Sequence, residues 1–76
     1  MLWGPDYEAF RRRLVQARKL AKMTQRDAAT ALGRSPSYVA KSENGERRVD
    51  IVELLHFARI YRRSLQYFAG SGRPKD

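Results

Sequence analysis

Along the first third of the chain, apolar residues recur at helical intervals. Tyr7, Phe10, Leu14, Ala17 and Ala21 stand three or four apart, which puts them on one stripe of a helix of about four turns. Arg11, Arg12, Arg13 and Lys19 fall largely off that stripe, on positions expected to face water. Pro5 or Asp6 supplies its start, as a first-turn proline or a cap. Thr24 with Asp27 three residues on has the spacing of a capping box. Ala28, Ala29 and Leu32 then give the inner face of a short second helix, which Gly33 ends because glycine takes the left-handed conformation without steric penalty. Ser35-Pro36 opens a third helix that runs to about Glu43 and stops at Asn44-Gly45. Asp50 and Glu53 open a fourth, with Ile51, Leu54, Leu55, Ala58 and Tyr61 as its apolar face. Arg62-Arg63 interrupts the pattern, and Ser64 can cap a short fifth helix carrying Leu65 and Phe68. No segment alternates in the manner of a strand.

The pattern predicts a compact all-α fold of five helices. It divides the chain into a short arm (1–6), one domain (7–69) and a polar, glycine-rich tail (70–76). A chain of 76 residues has little room for a deep active-site cavity. It has no cysteine, so no disulfide helps hold it, in better keeping with a reducing cytosol than with a secreted scaffold. His56 alone makes no zinc site, and neither metal nor cofactor is expected. No apolar run approaches the roughly 18 residues of a membrane span, and no signal-peptide pattern opens the chain.

Charge adds the first functional clue. Sixteen Lys and Arg stand against eight Asp and Glu, a net charge of +8. Most of the cations are Arg, whose planar fork matches phosphates and base edges better than the lysine point charge. A small domain this basic is drawn to polyanions. The sequence shows no nucleophile beside a base, no carboxylate pair for acid–base work and no phosphate loop, which argues against an enzyme. The cations are spread over several capped helices and not gathered on one long amphipathic face, which argues against a membrane-surface peptide.

Two short helices joined by a tight glycine turn make a helix-turn-helix, whose second helix lies in the DNA major groove. Ala29 is small enough for the place where the two helices touch. Val39 plugs the third helix into the core, leaving Ser37, Tyr38, Ala40 and Lys41 outward.

Leu14, Arg18, Met23-Thr24-Gln25, Ala29, Leu32-Gly33, Ser35, Val39, Glu43-Asn44-Gly45, Leu54, Ala58, Ser64, Leu65 and Phe68 form a spaced string. In it the chain resembles the lambda repressor-like helix-turn-helix domains, also called the XRE or Cro/repressor family, over roughly residues 7 to 69. The resemblance implies that the Gln25 amide holds a DNA phosphate, helped by the helix N-terminus. It implies an ion pair, Arg18 with Glu43, bracing the first helix to the third. It implies phosphate contacts from Asn44, Arg47 and Arg48, and base reading by Ser37 and Lys41, the latter able to donate to guanine O6 or N7. Arg26, Arg34, Ser35, Pro36 and Tyr38 complete the expected DNA-facing set, and Leu65, Tyr67 and Phe68 the expected dimer surface.

The chain also departs from the family pattern. Pro36 stands where a base-reading Gln is common, Ser42 where an Ile or Leu is usually buried, and Ala28 where Leu is usual. Arg62 and Arg63 replace a glycine and an apolar residue. The resemblance implies a small transcriptional regulator of bacterial or phage origin, a repressor acting as a homodimer on a near-palindromic site, in the cytoplasm and with the nucleoid when DNA-bound. Pro36 keeps open a second function, a module of the same fold that binds a partner protein, such as an antitoxin-like domain or a co-regulator.

Overall fold

The computed structural model describes residues 4–70. They form five helices: α1 (Pro5–Leu20), α2 (Gln25–Leu32), α3 (Pro36–Asn44), α4 (Ile51–Tyr61) and α5 (Leu65–Ala69). No strand occurs among the described residues. Residues 1–3 of the expected arm and 71–76 of the expected tail lie outside them, and α1 takes in Pro5 and Asp6.

Local chemistry explains most helix boundaries. Pro5 opens α1, with Asp6 and Glu8 in its first turn and Arg18 and Lys19 in its last, charges that complement the helix dipole. At Thr24 the capping box is complete: the Asp27 amide donates to Thr24 Oγ1 at 3.0 Å and the Thr24 amide to Asp27 Oδ2 at 3.0 Å. Asp50 and Glu53 repeat the device at the start of α4. Ser64 caps α5 by accepting from the Tyr67 amide at 3.3 Å. Ser35 instead places its hydroxyl 3.2 Å from that of Ser37 and makes no side-chain cap.

Three helix ends use the same left-handed closure. Gly33 has φ 70°, and the Arg34 amide donates to Ala29 O at 2.9 Å. Lys22 (φ 61°) and Arg62 (φ 59°) close α1 and α4 in the same way, although a side chain is disfavoured at such a φ.

Leu14, Ala17, Ala28, Ala29, Val39, Phe57, Ala58, Tyr61 and Phe68 form the core. The alanines at 17, 28 and 29 let backbones approach closely, and α3 settles against α1 and α2 while α4 and α5 pack across α1.

Three expectations are corrected here. Of the apolar face expected for α4, Ala58 and Tyr61 are buried beside Phe57 and Leu54 packs against the core, whereas Ile51 is 62% exposed and Leu55 is also outside. Docking decides which positions of the stripe stay outside. Phe68 is 1% exposed; it fills the core beside Phe10, ring centroids 6.4 Å apart, and so has no surface to offer a second copy. Arg11 is not simply solvated. Its Nη1 donates to Glu43 O at 2.6 Å and its Nη2 to Glu8 Oε2 at 2.6 Å, placing a cation at the carbonyl end of α3, where the dipole favours it.

Candidate nucleic-acid interface

The inward side of α3 consists of Val39, Ser42 and Glu43. Helical geometry then turns Ser37, Lys41 and Asn44, spaced four and three apart, to the opposite side, and all three are exposed. Pro36 lies at the exposed N-terminal end, beside Ser35 and Arg34 of the turn, while Ala40 is half-buried. Arg26, on the first turn of α2, and Arg48, beyond α3, are exposed too.

Glu43 holds this face in place. Its side chain is nearly buried, and it accepts from Arg18 Nε at 2.7 Å and Nη2 at 3.2 Å. Arg18 Nη1 also reaches Met23 O at 2.9 Å. The pair expected from the resemblance therefore bridges α1 to the end of α3 and to the loop entering α2. Hydrogen bonding to Glu43 raises the Arg18 pKa above its ordinary value, opposed by burial. Gln25 joins the same cluster, its Nε2 donating to Glu43 Oε1 at 2.9 Å. One amide hydrogen and the amide oxygen remain beyond that bond, so Gln25 can brace and bind at once.

Asn44 donates to Glu46 Oε2 at 3.1 Å and accepts from the Glu46 amide at 2.9 Å. Its amide is thus engaged by a neighbouring acid, which a phosphate would have to displace. Tyr38 is half-buried and not splayed outward. Its ring stacks at 15° on Phe57, centroids 6.0 Å apart, and lies 4.6 Å from the Arg34 guanidinium and 4.3 Å from that of Arg47. Burial, then the nearby Glu53 carboxylate, pushes the Tyr38 phenol above its ordinary pKa.

Arg47 is half-buried. It pairs with Glu53 at 2.6 Å, whereas Arg48 lies 5.1 Å over the Tyr7 ring. The Arg47–Glu53 pair and the Arg11 cap are among the contacts that sequence reasoning missed. Glu53 three residues after Asp50 signalled only the capping box, and nothing local linked it to Arg47.

Among the described residues no group of His, Cys, Asp and Glu is placed to hold a metal ion, and no helix is long and apolar enough to cross a membrane. Two neighbouring grooves, where α1 meets α4 and α5, are lined mainly by apolar side chains.

Two closely packed short helices, a left-handed glycine turn and an exposed second helix braced from behind define a helix-turn-helix domain. A family model described as Helix-turn-helix matches residues 14–68, well over half of the chain. The chain belongs to that family, the lambda repressor-like or XRE helix-turn-helix domains of DNA-binding regulators. Comparison with curated proteins and comparison with solved structures each return no match.

Proposed function

We propose that the chain is a transcriptional repressor that binds double-stranded DNA as a homodimer, with α3 in the major groove of each half-site of a near-palindrome. The observation that carries the reading is the outward face of α3, Ser37, Lys41 and Asn44, held by the Arg18–Glu43–Gln25 cluster behind it and flanked by Arg26, Arg34 and Arg48. Lys41 reads a base, with guanine O6 or N7 as its natural acceptors. Ser37 adds a second polar contact, and Pro36 offers only apolar contact, for example to a thymine methyl. Gln25, Arg26, Arg34, Ser35 and Arg48 contact phosphates. One domain reads a short site, so two domains about 34 Å apart, one helical turn, supply the affinity.

The second copy docks against the exposed parts of α5 and α4. Leu65 is 40% exposed and Ile51 stands near it across an apolar groove lined also by Phe10 and Leu54. Tyr67 lies half-buried at the edge. The exposed Val52 and Leu55 favour a second reading, in which this side of α4 receives a partner protein.

Selection from a random duplex pool at about 150 mM salt, near physiological ionic strength, tests the proposal. Enrichment of a short two-fold symmetric motif is the expected result. Recovery of unselected DNA only would refute sequence reading and promote the partner-protein reading.

A further inference from the structure

The close backbone neighbours of α3 are α1 and α2, and its tie to α4 runs through side chains. Arg47 is the centre of that tie. Its Nη2 donates to Glu53 Oε2 at 2.6 Å and its Nη1 to Glu53 Oε1 at 3.2 Å. The same Nη1 reaches Ser42 Oγ at 3.2 Å, and Ser42 Oγ donates to Tyr38 O at 2.7 Å within α3. The Arg47 guanidinium also lies against the Tyr38 ring, which stacks on Phe57 of α4. Glu53 is itself fixed, accepting from the Asp50 amide at 3.0 Å as part of the α4 cap.

We propose that Arg47 is a positioning residue of the recognition helix and not a phosphate contact. It pins the middle of α3 to the first turn of α4 and so sets the angle at which Ser37, Lys41 and Asn44 meet DNA. The inference rests on the DNA-binding reading above. Both terminal nitrogens of Arg47 point at Glu53 and Ser42. A phosphate that drew the guanidinium outward would leave a largely buried carboxylate without its cation, an unfavourable exchange. Ser42 becomes intelligible in the same network: fully buried where the family pattern has an aliphatic residue, its hydroxyl accepts from Arg47 alongside the Glu53 carboxylate. The phosphate role expected of the loop passes to Arg48.

The test measures fluorescence anisotropy on the selected site and on an unrelated duplex, over a range of salt, for Arg47→Gln, Glu53→Gln, the double variant and Arg48→Gln. Glu53→Gln keeps a capping-box side chain while removing the charge. Arg47→Gln and Glu53→Gln should each weaken the selected site by about tenfold, with the double variant no worse than the weaker single, as members of one network behave. Binding to the unrelated duplex and the salt slope should stay as in the wild type, whereas Arg48→Gln should flatten the slope by about 0.9. The proposal is overturned if Arg47→Gln flattens the slope as Arg48→Gln does, or if Glu53→Gln tightens binding. Should Arg47→Gln unfold, Arg47→Lys decides: loss of selected-site binding supports a bidentate brace, and wild-type behaviour overturns it. If the wild type prefers no duplex, the DNA reading itself fails. A urea-denaturation cycle on the same proteins then tests the tie alone, non-additive losses supporting it and additive ones overturning it.

Discussion

Replacing Glu43 with alanine should remove a large part of the stability of this domain. Its carboxylate accepts from Arg18 at two points and from Gln25 at a third, and it is only 7% exposed. Alanine would leave the Arg18 guanidinium, whose side chain is 13% exposed, facing a gap instead of a counter-charge. Breaking a buried pair from one side is destabilising by about 3–5 kcal/mol. Because Arg18 keeps its bond to Met23 O and some contact with water, the lower end, about 3 kcal/mol, is expected. A domain of this length typically has about 4–11 kcal/mol in total, so the variant approaches the folding threshold. In thermal denaturation followed by circular dichroism, the midpoint should fall by about 12–24 °C. Arg18→Met combined with Glu43→Leu should recover most of that loss, because an apolar pair of similar volume often replaces a buried ion pair without penalty. A fall of less than about 1 kcal/mol for Glu43→Ala, or a double variant as unstable as the single, would show that the cluster does not brace α3.

Four further outcomes follow at three other sites. The Tyr61 hydroxyl is buried with no hydrogen-bond partner among the described residues, so Tyr61→Phe should leave stability in urea unchanged or raise it by up to about 1 kcal/mol; a clear loss would mean the hydroxyl is satisfied. Burial, and then the nearby Glu43, holds the Tyr61 phenol well above its ordinary pKa. The unfolded phenol therefore gives up its proton first as pH rises past about 10, and stability present below that pH is lost above it. Tyr61→Phe should reduce this alkaline loss, and an identical pH profile would contradict the assignment. Arg62 closes α4 at φ 59° with its side chain exposed; Arg62→Gly should stabilise by about 0.5–1 kcal/mol in chemical denaturation, the relief of left-handed strain outweighing the added freedom of the unfolded chain. Lys41→Ala should weaken the selected site by about 1–3 kcal/mol and relax preference at one base position; equal losses on selected and unrelated duplexes in anisotropy titrations would remove its reading role.

Helix boundaries were legible in the sequence because each depends on a few adjacent residues. Thr24 with Asp27, Asp50 with Glu53, and Gly33 after Leu32 satisfy the backbone groups at helix ends without help from the rest of the chain. The helical spacing of Leu14 and Ala17 likewise marked positions that prove buried, and Val39, read as the plug of the helix-turn-helix, is buried too. The Arg18–Glu43 pair came from a resemblance to a family, since residues so far apart in sequence carry no local sign of contact. Only the tertiary structure decided which end of the expected α4 stripe stays outside, leaving Ile51 and Leu55 exposed. Only it placed Arg11 on the carbonyl end of α3 and turned Arg47 toward Glu53. A cation in a sequence reports its charge and reach but not the partner it finds. That partner is set when helices dock, because the hydrogen bonds of a half-buried guanidinium depend on which carboxylates and carbonyls the packing brings within reach.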